Sequence, residues 1–521
     1  MPENFPGVYV EDVSRATRTI SGVATSITAF IGRALIGPVN QPATISSYDD
    51  FERIFGGLWL ESSLGYAVRD FYRNGGKQAI IVRLFHPAAN NITKASLAWD
   101  SLALEASSEG SWANGLAIHV DTQVDPNNPD APNLFNLTVK NTRNDVVEVF
   151  RDLSTTPDSP RFVNDVLATD SNLVRVAGPG PSAAPTAHPD PPEGRDAFDP
   201  TNAPATFTGV AGDALASDGE SLSLDDFIGS GNEDAGLGLY SLDRVDLFNL
   251  LCIPPYLENG NVDPSLLAAA TDYCQKQRAM LIIDPPSDWS DAKKAIAGLA
   301  TDIGINSSNA VLYFPRLRQP NPLRDNQPED FAPCGAVAGV IARIDATRSM
   351  WKAPAGQEAG LAGESLPSLS MTNQESDKLN RLAINCLRQF PASGCLVWGA
   401  HTRAGEDGLA SEWKYIPVRR TALFLEESLY RGLQWVVFEP NDEPLWVQIR
   451  RSVNAFMQDV FRQGAFQGTT PREAYFVKCD HQTTTQNDID GGFVNILVGF
   501  APLKPAEFVI IKLQQMAGRT A

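Results

Sequence analysis

The chain has 521 residues, 43% hydrophobic and 20% charged, room for roughly three to four domains of about 150 residues with ordinary globular cores. Its formal net charge of −20 argues against general nucleic-acid binding and against docking on anionic membranes, both of which want a basic surface. No apolar run approaches the ~20 residues of a membrane span, and Met1-Pro-Glu-Asn lacks the basic and apolar stretches of a signal peptide, so no membrane insertion and a cytoplasmic start are expected.

The N-terminus, Phe5-Pro-Gly-Val-Tyr-Val-Glu-Asp-Val13, reads as a lone strand with nothing nearby to pair with. A region spanning 21–96 then alternates strand and helix signals. Gly22–Gly32 reads as a buried strand, and Ser47–Gly56 as a short helix with Ser47 as N-cap and Gly56 as its stop. Leu64–Asn74 reads as a second helix ended by Gly75-Gly76, and Ala79–Phe85 as a core strand. From 97 to 177 the pattern changes to short alternating strands, clearest at Leu116–Val120, Leu134–Val139 and Val146–Phe150, which predicts a β-rich domain.

A Pro-, Ala- and Gly-rich insert occupies 178–236. Its first part, 178–205, holds eight prolines and one large apolar residue, Phe198, so a mobile surface excursion is expected there. Residues 237–400 read as an α/β domain. Asp246–Pro254 is a near-continuous apolar strand, Ser265–Arg278 a helix, and Ala279–Asp284 and Ala310–Pro315 two further strands. That alternation favours a parallel sheet.

A C-terminal α+β part, 401–503, carries two amphipathic helices. Arg419–Gln434 places Ala422, Leu425, Leu429 and Leu433 on one stripe; Leu445–Gln463 does the same with Leu445, Ile449, Val453, Phe456 and Val460. The strand Phe493–Phe500 precedes a terminal arm, 504–521, whose Pro505-Ala-Glu-Phe-Val-Ile-Ile-Lys-Leu-Gln515 is a second lone strand. An unpaired strand leaves its ladder groups open and is stable only when added to another sheet. One at each end marks a chain built to be woven into neighbouring copies.

Catalytic chemistry finds little support. There is no GxSxG elbow, and the five histidines (His86, His119, His188, His401 and His481) all fall outside the α/β domain. Gly335-Ala-Val-Ala-Gly339 lacks the lysine and spacing of a phosphate loop and reads as close helix packing or a tight turn. The six cysteines contain no CxxC pair, so buried thiols are expected and neither a metal nor a cofactor is called for. Asp225-Asp226 and Glu426-Glu427 read as solvated faces. Asp488-Ile-Asp-Gly-Gly492 lacks the later glutamate of a calcium loop and reads as a turn.

One segment stands apart: Cys334-Gly-Ala-Val-Ala-Gly-Val-Ile-Ala-Arg-Ile-Asp-Ala-Thr-Arg-Ser-Met-Trp-Lys-Ala-Pro-Ala-Gly356. Its small residues suit close helix packing, and Arg343, Asp345 and Arg348 suggest a buried charge network. The segment resembles the signature of contractile tail sheath proteins, found in phage tails and related injection systems. Pro6–Asp12 is similar to that family's N-terminal arm. Gly32–Pro42 with Phe51–Gly56, Ser111–Gly115, Leu247–Pro254, Asn380–Asn385 and Asn487–Phe508 fit further blocks in the same order. Ser349-Met350 departs from the family's more usual Gly-Val before the tryptophan.

The resemblance implies a multidomain α/β and α+β fold. It would comprise a subtilisin-like α/β domain without a catalytic triad, a β-rich inserted domain, and an inner α+β domain built from the N- and C-terminal parts (N-terminal arm 1–20). It implies a non-enzymatic subunit that stacks as hexameric rings around an inner tube protein and contracts, with baseplate and tail-terminator or cap proteins as further partners. The inter-subunit arms would be Val8, Tyr9, Val10, Glu11, Asp12 and Val13, and Phe508, Val509, Ile510, Ile511, Lys512 and Leu513. The signature residues would be Gly339, Arg343, Asp345, Arg348, Trp351, Lys352, Ala353 and Pro354. Arg450, Arg451 and Arg462, on the polar face of the last helix, are candidates for facing an acidic tube. Other readings are a non-contractile tail or baseplate protein and a subtilase-like hydrolase.

Overall fold

The computed structural model describes residues 19–89, 91–125, 128, 130–406, 408 and 411–507. They divide into two compact units. The larger comprises 26–346 and 354–411; the smaller comprises 19–25, 347–353 and 412–507.

The larger unit opens with β1 (Thr28–Arg33), β2 (Ala43–Ile45), α1 (Tyr48–Phe55), α2 (Leu64–Arg73) and β3 (Ala79–Leu84). The cap expected for α1 is present: the Ser47 hydroxyl accepts from the Asp50 N–H at 3.1 Å, and Gly56 ends the helix at φ 87°. A β-rich module follows, with β4 (Ser96–Trp99), β5 (Leu102–Ala106), β6 (Leu116–Asp121), β7 (Leu134–Asn141), β8 (Val146–Ser154), α3 (Val163–Asp170), β9 (Val174–Val176) and β10 (Thr208–Gly209). Strands β10-β6-β7-β8 form one antiparallel sheet and β4-β5-β9 another. Leu104, Ile118, Leu137, Leu153 and Leu167 fill their shared core.

The chain then returns through β11 (Leu250–Cys252), α4 (Pro264–Lys276), β12 (Met280–Ile283), β13 (Ala310–Phe314), β14 (Leu317–Asn321), β15 (Gln327–Phe331), α5 (Cys334–Arg348), β16 (Leu366–Pro367), α6 (Asn373–Arg381), β17 (Asn385–Phe390) and β18 (Gly394–Trp398). The main sheet has eight strands in the order β18-β17-β13-β12-β11-β1-β3-β2. Its inner strands run parallel, and β18 and β2 close the edges antiparallel. Strands β1, β2 and β3, expected in a region of their own, thus share a sheet with the 237–400 segment. Thr28 pairs in register with both Leu250 and Ala79. The apolar run 246–254 is paired only over Leu250–Cys252.

The 178–205 segment differs from expectation: it is strapped onto the β-rich module. The Trp99 indole N–H donates to the Thr186 carbonyl (2.7 Å), the Ser101 hydroxyl to the Ala183 carbonyl (3.0 Å), and the His188 N–H to the Val120 carbonyl (2.9 Å). His188 stacks on Trp99 at 3.8 Å between centroids. Hydrogen bonds and one imidazole hold what large apolar side chains do not.

In the smaller unit, α7 (Ile416–Gly432) and α8 (Glu443–Arg462) pack with the two-stranded antiparallel sheet β19 (Tyr475–Lys478) and β20 (Leu497–Phe500). The expected α8 stripe, Leu445, Ile449, Val453, Phe456 and Val460, is buried throughout.

Candidate functional site

The Gly335–Gly339 face of α5 lies directly on the backbone of α2. A Cβ on Gly335 would overlap the Ala67 carbonyl, and one on Gly339 would overlap the Phe71 carbonyl and sit 2.7 Å from the Asn74 Cβ. The segment is therefore a helix-packing device. Downstream, the Arg343 guanidinium donates to the carbonyls of Asn74 (2.7 Å) and Gly360, and the Asn74 side-chain oxygen accepts from the Ala362 N–H at 2.8 Å. Arg343 and Asp345 are half-buried and Arg348 is exposed.

After α5, Ser349 adopts φ 69°, the left-handed region glycine enters without strain. Trp351 packs against the core of the smaller unit, Lys352 donates to the Ala353 carbonyl at 3.2 Å, and Pro354 is buried.

A buried polar cluster on α2 has no signature in the local sequence. Arg69 contacts Asp70 at 3.2 Å and the Gln319 side-chain oxygen at 3.0 Å; Gln319 in turn donates to Asp70 (2.9 Å) and to the Ser365 hydroxyl (3.0 Å). Burial pushes the Asp70 carboxyl above its usual range, with Arg69 opposing. The cluster ties α2 to β14, consistent with a structural rather than a chemical role.

The chemistry at the carboxyl ends of the parallel strands is sparse. A cleft of about 320 Å³ opens where β1 and β11 end, the place an open α/β sheet offers a ligand. Ser62, Ser63, Ser221, Arg33, Glu61 and Tyr256 line it, and no histidine does. Beside the start of α5, Asp284 accepts from the Cys334 N–H at 2.7 Å, and burial raises its carboxyl to about 6. Burial also raises the thiols of Cys252 and Cys334, the opposite of what a nucleophilic cysteine needs. Among the described residues no group of three or more His, Cys, Asp or Glu is placed to hold a metal ion.

The smaller unit presents the surfaces relevant to assembly. Sheet β19–β20 has two strands among the described residues, so the outer edge of each lacks a ladder partner there. Both candidate arms, Val8–Val13 and Phe508–Leu513, lie outside the described residues. The chain emerging from the N-terminal side is tied to α7: the Val23 N–H donates to the Ser428 hydroxyl (3.2 Å), Arg420 donates to the Thr25 carbonyl (2.6 Å), and buried Ile20 leaves no room for a Cβ on Gly432.

The three candidate arginines differ. Arg450 pairs with Glu443 at 2.7 Å and donates to the Cys479 carbonyl. Arg462 pairs with Asp459 at 3.4 Å. Arg451 is exposed and has no hydrogen-bond or ion-pair partner among the described residues.

Comparison with known proteins gives a consistent picture. Residues 229–402 match the family model for the phage tail sheath protein central domain, and residues 410–515 that for the phage tail sheath C-terminal domain. The tail sheath protein of Burkholderia phage BcepMu is 24% identical over 481 residues, 89% of this chain and 87% of that protein. Among solved structures, the sheath complex of the PVC extracellular contractile injection system in its contracted state superposes with a TM-score of 0.58 at 20% identity, covering 99% of this chain and 98% of that one. The baseplate of the anti-feeding prophage, six-fold symmetrised, contains a chain with a TM-score of 0.54 at 21% identity, covering 99% and 100%. The multidomain mixed α/β fold with several sheets is that of these proteins.

Proposed function

Because this chain belongs to the contractile tail sheath family, we propose that it is a non-enzymatic sheath subunit of a phage tail or contractile injection particle. It polymerises as hexameric rings around an inner tube, assembles in the cytoplasm on a baseplate, and contracts to drive the tube forward. The observation that carries this reading is the pairing of strand-like sequence at both termini with a two-stranded sheet whose outer edges are open among the described residues. Arms from neighbouring copies then add strands to β19 and β20. Such augmentation rests on backbone hydrogen bonds, which persist while domains rotate.

In this scheme the 237–400 segment is the subtilisin-like domain, without a triad. The parallel strands β11, β12, β13 and β17 that this segment contributes to the main sheet support the α/β part of that assignment. The 97–177 and 178–236 segments project outward, and the 401–503 part faces the tube. Contraction repacks outer faces and releases free energy stored at assembly, so no nucleotide site is needed.

Negative-stain microscopy of the purified chain tests the proposal: long cog-wheel cylinders are expected. Deleting residues 1–13 should leave a folded subunit that no longer builds contractile cylinders. A truncated chain that still builds contracting cylinders overturns the weaving mechanism, and a full chain that stays monomeric overturns the sheath role.

A further inference from the structure

The connection between α7 and α8 carries an apolar tip that nothing in its own unit covers. Val437 is exposed and Phe438 fully so. Phe438 also adopts φ 70°, a conformation costly for a bulky side chain. The base of the tip is braced: the Asn441 amide donates to the Phe493 carbonyl (3.0 Å), and the Trp446 indole N–H donates to the Asn441 side-chain oxygen (2.9 Å). A firm base under an exposed aromatic tip suits a knob rather than a flexible loop. Next to the tip stands Glu439, exposed.

A second apolar patch lies on sheet β19–β20. Tyr475 and Val477 face the core, so by alternation Phe476 and Lys478 face outward. Their cross-strand partners in register are Gly499 and Leu497. The Phe476 ring occupies the space a Cβ on Gly499 would need, and Phe476 and Leu497 are each about half exposed. The result is a shallow apolar face with an ammonium group beside it.

The two patches are separate. The Tyr475 hydroxyl reaches Gln458 (3.1 Å) and the Cys479 carbonyl reaches Arg450, so β19 runs against α8 with Phe476 opposite the middle of the helix. That places it about 16 Å along α8 from the end that carries the tip, at 1.5 Å per residue. An assembly with one repeated head-to-tail contact needs two different, complementary patches on each copy. An apolar knob with a carboxylate and an apolar face with an ammonium group meet that requirement in shape and in charge.

We propose that the Val437–Phe438 tip of one copy docks on the Phe476–Leu497 face of a second copy of this chain, with Glu439 meeting Lys478. The inference rests on the sheath reading only in taking a second copy as the partner.

The test is the critical concentration for assembly of the full chain, read by pelleting and microscopy. Circular dichroism confirms the fold of each variant, since all four side chains are exposed. Phe438→Ser and Phe476→Ser should each raise the critical concentration at least about tenfold, the size expected of an aromatic anchor. Glu439→Lys and Lys478→Glu should each raise it by about threefold or more, and the double reversal should return it to near the wild-type value.

Variants that assemble at the wild-type concentration overturn the inference while leaving the sheath reading intact. So does a Phe438→Ser chain that assembles normally but no longer retains tube, which would assign the tip to the tube. A wild-type chain that never assembles overturns both.

Discussion

The backbone N–H of Val120 donates to Nδ1 of His188 at 3.0 Å, so the imidazole nitrogen facing the β-rich module must be unprotonated. Its Nε2 lies 3.1 Å from the Thr208 hydroxyl, and His119 stands 5.6 Å away between ring centroids. Burial, and then the neighbouring His119, lower the His188 pKa from 6.5 to about 4. A depressed folded-state pKa means the unfolded chain takes up the proton first. The stabilisation is therefore complete above about pH 6.5 and is lost as pH falls towards 4. Urea unfolding between pH 7 and 4.5 should show stability of the β-rich module falling with pH. His188→Phe, which keeps the stacking on Trp99 but cannot titrate, should flatten that dependence. An unchanged slope in the variant would assign the acid sensitivity elsewhere.

The sequence showed the strap's prolines but not its partners. Composition reports how little apolar surface 178–205 owns, and says nothing of the carbonyls it offers to Trp99 and Ser101. Local signals were legible where local chemistry sets them, as in the Ser47 cap, the Gly56 stop and the buried stripe of α8. The joining of β1 to β11 was not, because Thr28 and Leu250 meet through a pairing that no local periodicity encodes. Arg69 and Asp70 likewise look like the solvated face of an amphipathic helix until Gln319 and Ser365 cover them. The strand-like termini are legible in sequence alone, as β-branched and aromatic runs that follow a proline.

The contact between α5 and α2 tolerates no side-chain atom at Gly335. Because the obstruction is the Ala67 carbonyl, a backbone atom rather than the end of a flexible side chain, Gly335→Ala must push two helices apart. The gain in helix propensity from glycine to alanine, about 1 kcal/mol, is outweighed by overpacking of about 1–3 kcal/mol or more. A net loss is expected in urea unfolding, larger than for Gly356→Ala, where open space surrounds the glycine and only its φ of 92° opposes the change. Equal losses at the two sites would mean that helix contact is not what fixes Gly335.

Arg83 sits within the core strand β3 with its side chain 1% exposed. Its guanidinium donates to the carbonyls of Ala34 (2.9 Å), Gly37 (2.6 Å), Leu35 (3.3 Å) and Glu109 (2.8 Å), pinning the loop after β1 and the start of the β-rich module. Arg83→Met keeps the apolar stem but strands those carbonyls, with an expected cost of about 3–5 kcal/mol. Proteolysis at the 34–42 loop should accelerate in parallel. Wild-type protection of that loop in the variant would show that the carbonyls find other donors.

Arg450 and Arg451 adjoin in sequence but make different contacts, and this separates interface from fold in the proposed tube contact. Arg450→Glu places a carboxylate beside Glu443 and removes the donor to the Cys479 carbonyl, so it should lower the melting temperature of the smaller unit by a few degrees. Arg451 has nothing of its own to lose among the described residues. Arg451→Glu should therefore leave the melting temperature unchanged while reversing the charge offered to an acidic tube. Sheaths built from it should form with normal rings but retain tube poorly, and the deficit should shrink as salt screens the repulsion. Reversing both arginines at once cannot distinguish these effects, whereas the single Arg451 change can. Tube-filled sheaths at wild-type frequency from Arg451→Glu would remove α8 from the tube contact.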